Sequence, residues 1–196
     1  DISAGGLAVW YDKWTPGNNG NIIHIGWVDE TEGGVVANAY YLYRQLNTSN
    51  DSLGTQRTVS TESNGSQLYG FMGIPCVARS GAIYYLVYHG ASLDRWKRSI
   101  DAGANWTSLT TTGLSLGWAP GMTRLLPANS TDSDDMYLVK VEHGIGLTIW
   151  HYDYSANSWV KTTIDADVTA DDQTAVRLDA CTRLSDKHSF VAYTNN

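Results

Sequence analysis

The sequence predicts an all-β chain: a β-propeller of four-stranded antiparallel blades. Its 196 residues hold enough strands for about three and a half blades. Three observations carry this expectation. Apolar runs are short, of strand length, and separated by turns rich in Gly, Asn, Ser, Thr and Asp. No long segment shows a 3.6-residue apolar period, so almost no helix is expected. The strand pattern also recurs. The second strands of successive units begin near Ile22, Ile83, Met136 and Ser189, a period of about 50–60 residues, the length of one blade.

The units follow in order as a single propeller segment over 1–196. The first unit, 1–66, holds Leu7–Tyr11, a turn-rich loop, then Ile22–Val28, Tyr40–Leu46 and Thr55–Val59. The second, 67–117, holds Ile74–Ala78, a Ser80-Gly81 turn, Ile83–Tyr88, Asp94–Ser99 and Trp106–Leu109. The third, 118–170, holds Met122–Leu126, Met136–Val141, Leu147–Tyr152 and Ser158–Thr162. The fourth, 171–196, begins with Ala175–Leu178 and Phe190–Tyr193. The second strands are apolar at successive positions, as expected where a sheet is packed on both faces. With two strands in the fourth unit and Asp1 as first residue, the expectation is a part of a longer polypeptide, or a ring completed by another segment.

Composition narrows the partners. Hydrophobic residues make up 42% of the chain, enough to fold. Thirteen Lys and Arg stand against 20 Asp and Glu, for a formal charge of −7. The only basic cluster is Arg95–Arg98, so nucleic acid is not an expected partner. No apolar run approaches a membrane span, and residues 1–9 do not read as a signal peptide. Cys76 and Cys181 lie in apolar strand-like segments without metal spacing. They read as buried free thiols, with a disulfide as the alternative. The five His residues form no metal pattern, and no cofactor fingerprint is present. His89-Gly90 and His143-Gly144 look like one repeat position used twice. Sequons at Asn47, Asn50, Asn64, Asn105 and Asn129 read as coincidence in a chain rich in Asn, Ser and Thr.

One segment is more specific. Ser99-Ile100-Asp101-Ala102-Gly103-Ala104-Asn105-Trp106 fits the pattern S-x-D-x-G-x-x-W and lies between a third and a fourth strand. It resembles the Asp box of the BNR-repeat, sialidase-like β-propellers. Each residue suits a hairpin: Asp101 can accept backbone N–H groups, Gly103 can adopt a positive φ, and Trp106 can bury a ring against the next sheet. The roles of Ser99, Asp101, Gly103 and Trp106 are therefore expected to be structural. Asp153–Trp159 and Asn47–Gly54 are degenerate versions of the same turn.

The resemblance also implies a test for catalysis. Sialidases carry an arginine immediately before an Ile-Pro pair to hold the substrate carboxylate. Here Gly73 precedes Ile74-Pro75. Arg124 and Arg177 are candidates for the further arginines, but both sit in first strands as repeat positions would. Glu142, Asp29 and Glu30 end second strands and are read as solvated strand ends rather than a carboxylate pair. No catalytic residue is assigned.

The phrasing of Tyr43–Thr48 and Leu53–Val59 is similar to sialidase-like propellers of tailed-phage and environmental virion proteins. That resemblance implies an extracellular or virion-surface module, non-catalytic and in contact with other virion subunits or with remaining blades of the same polypeptide. Its implied task is weak binding of host-surface glycans. Two alternatives stand beside it: a sialidase-class glycoside hydrolase with further catalytic residues elsewhere, and a purely architectural decoration domain. Sugar rings stack on aromatics, so Trp14, Trp27, Tyr69, Trp118 and Tyr154, at loops and strand ends, are the candidate glycan contacts.

Overall fold

The computed structural model describes residues 6–13, 15, 20–30, 38–63, 71–89, 95–114, 123–142, 145–167, 178–183, 185–186 and 188–193. Among these every regular element is a strand, fifteen in all, forming four antiparallel sheets. The first sheet contains β1 (Ala8–Asp12), β2 (Ile22–Glu30), β3 (Asn38–Asn47), β4 (Ser52–Leu53) and β5 (Arg57–Ser63). The second contains β6 (Phe71–Val77), β7 (Ile83–His89), β8 (Arg95–Ser99) and β9 (Thr107–Leu109). The third contains β10 (Thr123–Pro127), β11 (Met136–Glu142), β12 (Gly146–Asp153) and β13 (Ser158–Asp165). The fourth pairs β14 (Leu178–Thr182) with β15 (Ser189–Tyr193).

Each sheet is a meander in chain order. The first looks like an exception, with five strands, but β4 and β5 lie on the same edge of β3. Leu53 pairs with Leu46, and Arg57–Ser63 pairs with Asn38–Tyr43. The expected fourth strand is thus one ribbon broken at Gly54–Gln56. There the Gly54 N–H donates to the Gln45 carbonyl at 2.8 Å, and Arg44 Nε donates to the Gly54 carbonyl at 2.6 Å.

The sheets stack in sequence. β6 packs on β1 and β2, β10 on β6, and β14 on β10. Gly6, just before β1, forms a parallel bridge with Met72 of β6. The first strands therefore lie side by side, and residues of β1, β6, β10 and β14 line one cavity of about 300 Å³. This stacking is compatible with propeller blades. A closed ring is not seen among the described residues.

The apolar runs of the sequence acquire their meaning here. In β7, Ile83, Tyr85 and Val87 pack with Tyr41, Tyr43 and Val59 of the first sheet. The alternate residues Tyr84, Leu86 and Tyr88 pack with Leu138, Trp150 and Tyr152 of the third. Side chains alternate across a strand, so a sheet held between two others must be apolar at both parities. The third and fourth sheets meet through Leu126, Val139, Val141, Leu147 and Leu178. Trp10 of β1 touches all three clusters. Cys76 is buried and Cys181 exposed, and both are free thiols. The expectation of two buried thiols is corrected for Cys181. It pairs with Phe190 across β14–β15, on the face turned away from the third sheet, while Leu178 and Ala180 take the inward parity.

Candidate functional site: a cleft between the second and third sheets

The hairpin between β8 and β9 is built by its own side chains. Ser99 Oγ accepts the Gly103 N–H at 2.9 Å and donates to Asp101 Oδ1 at 2.8 Å. Asp101 Oδ1 accepts the Asn105 N–H at 2.9 Å, and Oδ2 accepts the Asn105 side-chain amide at 2.7 Å. The Asn105 backbone N–H, its side-chain amide and the Ser99 hydroxyl pull the Asp101 carboxyl down to about 2. The chain turns through positive φ at Ala102 (57°) and Gly103 (85°). Trp106 stands edge-on to Tyr43 at 5.2 Å and to Tyr85 at 5.7 Å. It is half-buried rather than fully enclosed. Its ring wedges the turn of the second sheet onto the first.

On the opposite side of this turn lies a cleft of about 170 Å³, lined by Arg98, Ile100, Asp101, Asn105, Thr107, Leu109 and Tyr154. Arg98 comes from β8 and Tyr154 from the turn between β12 and β13. The loop between β10 and β11 holds both. Asp134 Oδ2 accepts Arg98 Nη2 at 2.9 Å, and Asp135 Oδ1 accepts the Tyr154 N–H at 2.9 Å. The Arg98 guanidinium lies over the Tyr154 ring at 4.8 Å and over Tyr84 at 5.8 Å. The loop itself is clamped to the second sheet. Arg79 Nη2 donates to the carbonyls of Ser130 and Asp132, and Ser80 Oγ donates to Asp134 Oδ1 at 2.7 Å. Asp135 further meets His151 Nε2 at 3.1 Å.

The cleft thus gathers one aromatic ring, a guanidinium, a carboxylate, an amide, a hydroxyl and two aliphatic side chains, carried by β8, β9 and the turns beside them. It is equipped to bind a small polar ligand with an apolar face. Asp101 is poorly placed for proton transfer. Its charge is fixed by its own turn, far below the range of a general acid at neutral pH.

Of the expected glycan contacts, Tyr154 is in the cleft. Trp27 is half-buried on the first sheet, away from it. Trp14, Tyr69 and Trp118 fall outside the described residues, as do Arg177, His143 and Gly144. Sequence reasoning missed Arg98 and Asp135 as partners of Tyr154, Asp134 as the partner of Arg98, and Asn105 as part of the same cleft. The acidic run Asp132-Ser133-Asp134-Asp135 was the available signal, but nothing local says that it reaches another sheet.

Two further polar sets are engaged in packing. Glu142 is buried, not solvated as the sequence suggested. Its Oε1 accepts Thr148 Oγ1 at 2.6 Å and Trp150 Nε1 at 3.1 Å, while Lys161 Nζ meets Oε2 at 3.2 Å. In the first sheet, His24 is buried between the Tyr43 hydroxyl, 2.7 Å from Nδ1, and Asp12 Oδ2, 3.5 Å from Nε2. Burial of the Tyr43 phenol pushes its pKa well up, with the neighbouring Asp12 charge adding to the shift. Gly73, where the resemblance looks for arginine, is buried, and a Cβ there would overlap the phenol oxygen of Tyr85. Arg124 is paired with Asp179 at 3.1 Å across β10 and β14. Among the described residues no group of His, Cys, Asp and Glu is arranged to hold a metal ion.

No protein-family model matches this chain, and no curated protein matches it.

Proposed function

We propose that this chain is a non-catalytic module of the sialidase-like β-propeller kind, displayed on a virion surface or tail, and that it binds host-surface glycans. The observation that carries the binding reading is the cleft between the second and third sheets. Tyr154 and Ile100 offer apolar surface to the C–H face of a sugar, and Asn105, Thr107 and Arg98 offer donors and acceptors to its hydroxyls. The non-catalytic reading is supported at Gly73. The Tyr85 phenol takes the space a side chain would need there, and Glu142 is committed to Thr148, Trp150 and Lys161. The virion setting rests on the resemblance carried by Tyr43–Thr48 and Leu53–Val59. Other virion subunits or remaining blades are its partners in that setting.

A shallow cleft of this size binds weakly, in the micromolar to millimolar range, and gains strength from many copies on one particle. The test is a glycan array probed with the protein in multimeric form. Tyr154→Ala should abolish the signal; because the Tyr154 ring also packs on Arg98 and the core, far-ultraviolet dichroism at the assay temperature checks that the variant remains folded. Absence of binding to every glycan, or binding undiminished by Tyr154→Ala and Asn105→Ala, would remove this reading.

A further inference from the structure

The charges of the cleft between the second and third sheets are unevenly matched. Among the residues that line it, Arg98 is the single cation and Asp101 the single anion. The Arg98 guanidinium is met by the Asp134 carboxylate, 2.9 Å from Nη2, and both side chains are mostly buried. Lys97, next to Arg98 on β8, falls on the opposite face by strand alternation and donates to Ser108 Oγ at 2.8 Å. Asp101 is held by neutral donors instead: the Ser99 hydroxyl and the backbone and side-chain N–H groups of Asn105. Those bonds keep it ionised far below neutral pH. Arg98 and Asp134 cancel, so the three groups leave one net negative charge, on an exposed residue.

The hydrogen-bonding groups left to a ligand suit hydroxyls. A carboxylate oxygen has two lone pairs, and Asp101 Oδ2 spends one on the Asn105 amide. That amide keeps its second N–H and its carbonyl oxygen. The exposed Thr107 hydroxyl both donates and accepts. A sugar hydroxyl, itself donor and acceptor, fits such a mixed set. A carboxylate or sulfate only accepts, and it brings a second negative charge into a cleft whose cation is already paired. Resting on the reading of this cleft as a glycan site, we propose that it selects uncharged hexose-type sugars and rejects acidic ones, with Asp101 as the residue that sets the choice.

The test is a glycan array probed with the multimeric protein. Oligosaccharides ending in galactose or N-acetylglucosamine are set beside the same oligosaccharides capped with sialic acid or sulfate. At about 10 mM salt, where repulsion between close charges is little screened, the neutral member of each pair should bind at least about tenfold more tightly. At about 1 M salt the screening length falls to about 3 Å and the ratio should shrink. Asp101→Asn, checked for folding by far-ultraviolet dichroism, should shrink it at low salt. Asp51→Asn removes the same charge from an exposed turn of the first sheet and should leave the ratio unchanged. Equal or tighter binding of the acidic members would overturn this inference while the cleft stood as a glycan site. A ratio indifferent to salt would overturn it too, as would a folded Asp101→Asn variant with the parent's ratio, or an Asp51→Asn variant shifted as far. Absence of binding to every glycan would remove the site, and this inference with it.

Discussion

Gly103, in the turn of the second sheet, lies flat against the ring of Tyr43 in the first. A Cβ at residue 103 would overlap the ring carbons of Tyr43, and the backbone there has φ +85°. The two sheets approach this closely because the residue carries no side chain. Gly103→Ala should therefore cost about 2–4 kcal/mol, combining the penalty for a left-handed backbone with displacement of a buried ring. Urea denaturation measures it. Tyr43→Leu in the same chain should relieve part of the overlap, so the double variant should be more stable than the sum of the singles implies.

Trp106 is the second half of the same contact. Its ring touches Tyr43 and Tyr85 edge-on but remains half-exposed. Trp106→Ala should cost about 2–3 kcal/mol, below the value for a fully enclosed tryptophan. Trp106→Phe should recover roughly half, since it keeps an edge-to-face partner. A loss under about 0.5 kcal/mol for Trp106→Ala would show that the ring does not hold the sheets together.

Asp101 ties stability to acid. Its folded carboxyl sits at about 2, against 3.8 ordinarily, so its hydrogen bonds favour the folded state fully above about pH 4. That contribution is lost as the pH falls through 2. The melting temperature should drop between pH 4 and pH 2. Asp101→Asn should melt lower than the parent at pH 7 and lose less over that interval. Asp153 and Asp165 are also held below the usual carboxylate range, so the variant should retain some acid sensitivity.

Glu142 is a buried acceptor for three donors. Glu142→Ala leaves the buried Trp150 Nε1 without its acceptor and frees Lys161, which is exposed, while the Thr148 hydroxyl keeps the Lys140 carbonyl, at a cost of about 1–3 kcal/mol. Glu142→Gln should cost less, because an amide oxygen still accepts from Trp150. Comparing the two by thermal denaturation separates the lost charge from the lost hydrogen bonds.

The purified chain should release no fluorophore from a sialic-acid glycoside. Gly73→Arg should not create the activity. It should instead destabilise the protein, since residue 73 is buried and its Cβ would displace Tyr85. Turnover that disappears on changing Arg124 or Glu142 would contradict the non-catalytic reading.

Strand placement was legible in the residues alone. The first strand of each of the first three units and every second and third strand lie within a few residues of their expected places, because turn residues and apolar alternation act locally. The Ser99–Trp106 hairpin was legible for the same reason. Its bonds join residues no more than four apart. The break at Gly54 was not, since the ribbon is divided by a bond from Arg44 on the neighbouring strand.

The cleft belongs to tertiary structure. Arg98 meets Asp134, 36 residues away, and Tyr154 meets Asp135, 19 residues away, only after the β10–β11 loop has docked on the second sheet. Glu142 reads as a strand end facing water, and only the packing of Trp150 and Lys161 around it makes it a core acceptor. The exposure of Cys181 was settled in the same way, by which face of β14 meets the third sheet. The chain itself determines where it extends and where it turns, because those preferences reside in single residues and near neighbours. Which charges and rings come together is decided by long-range packing, where apolar burial fixes the sheet-to-sheet geometry and the polar groups take the partners that geometry leaves them.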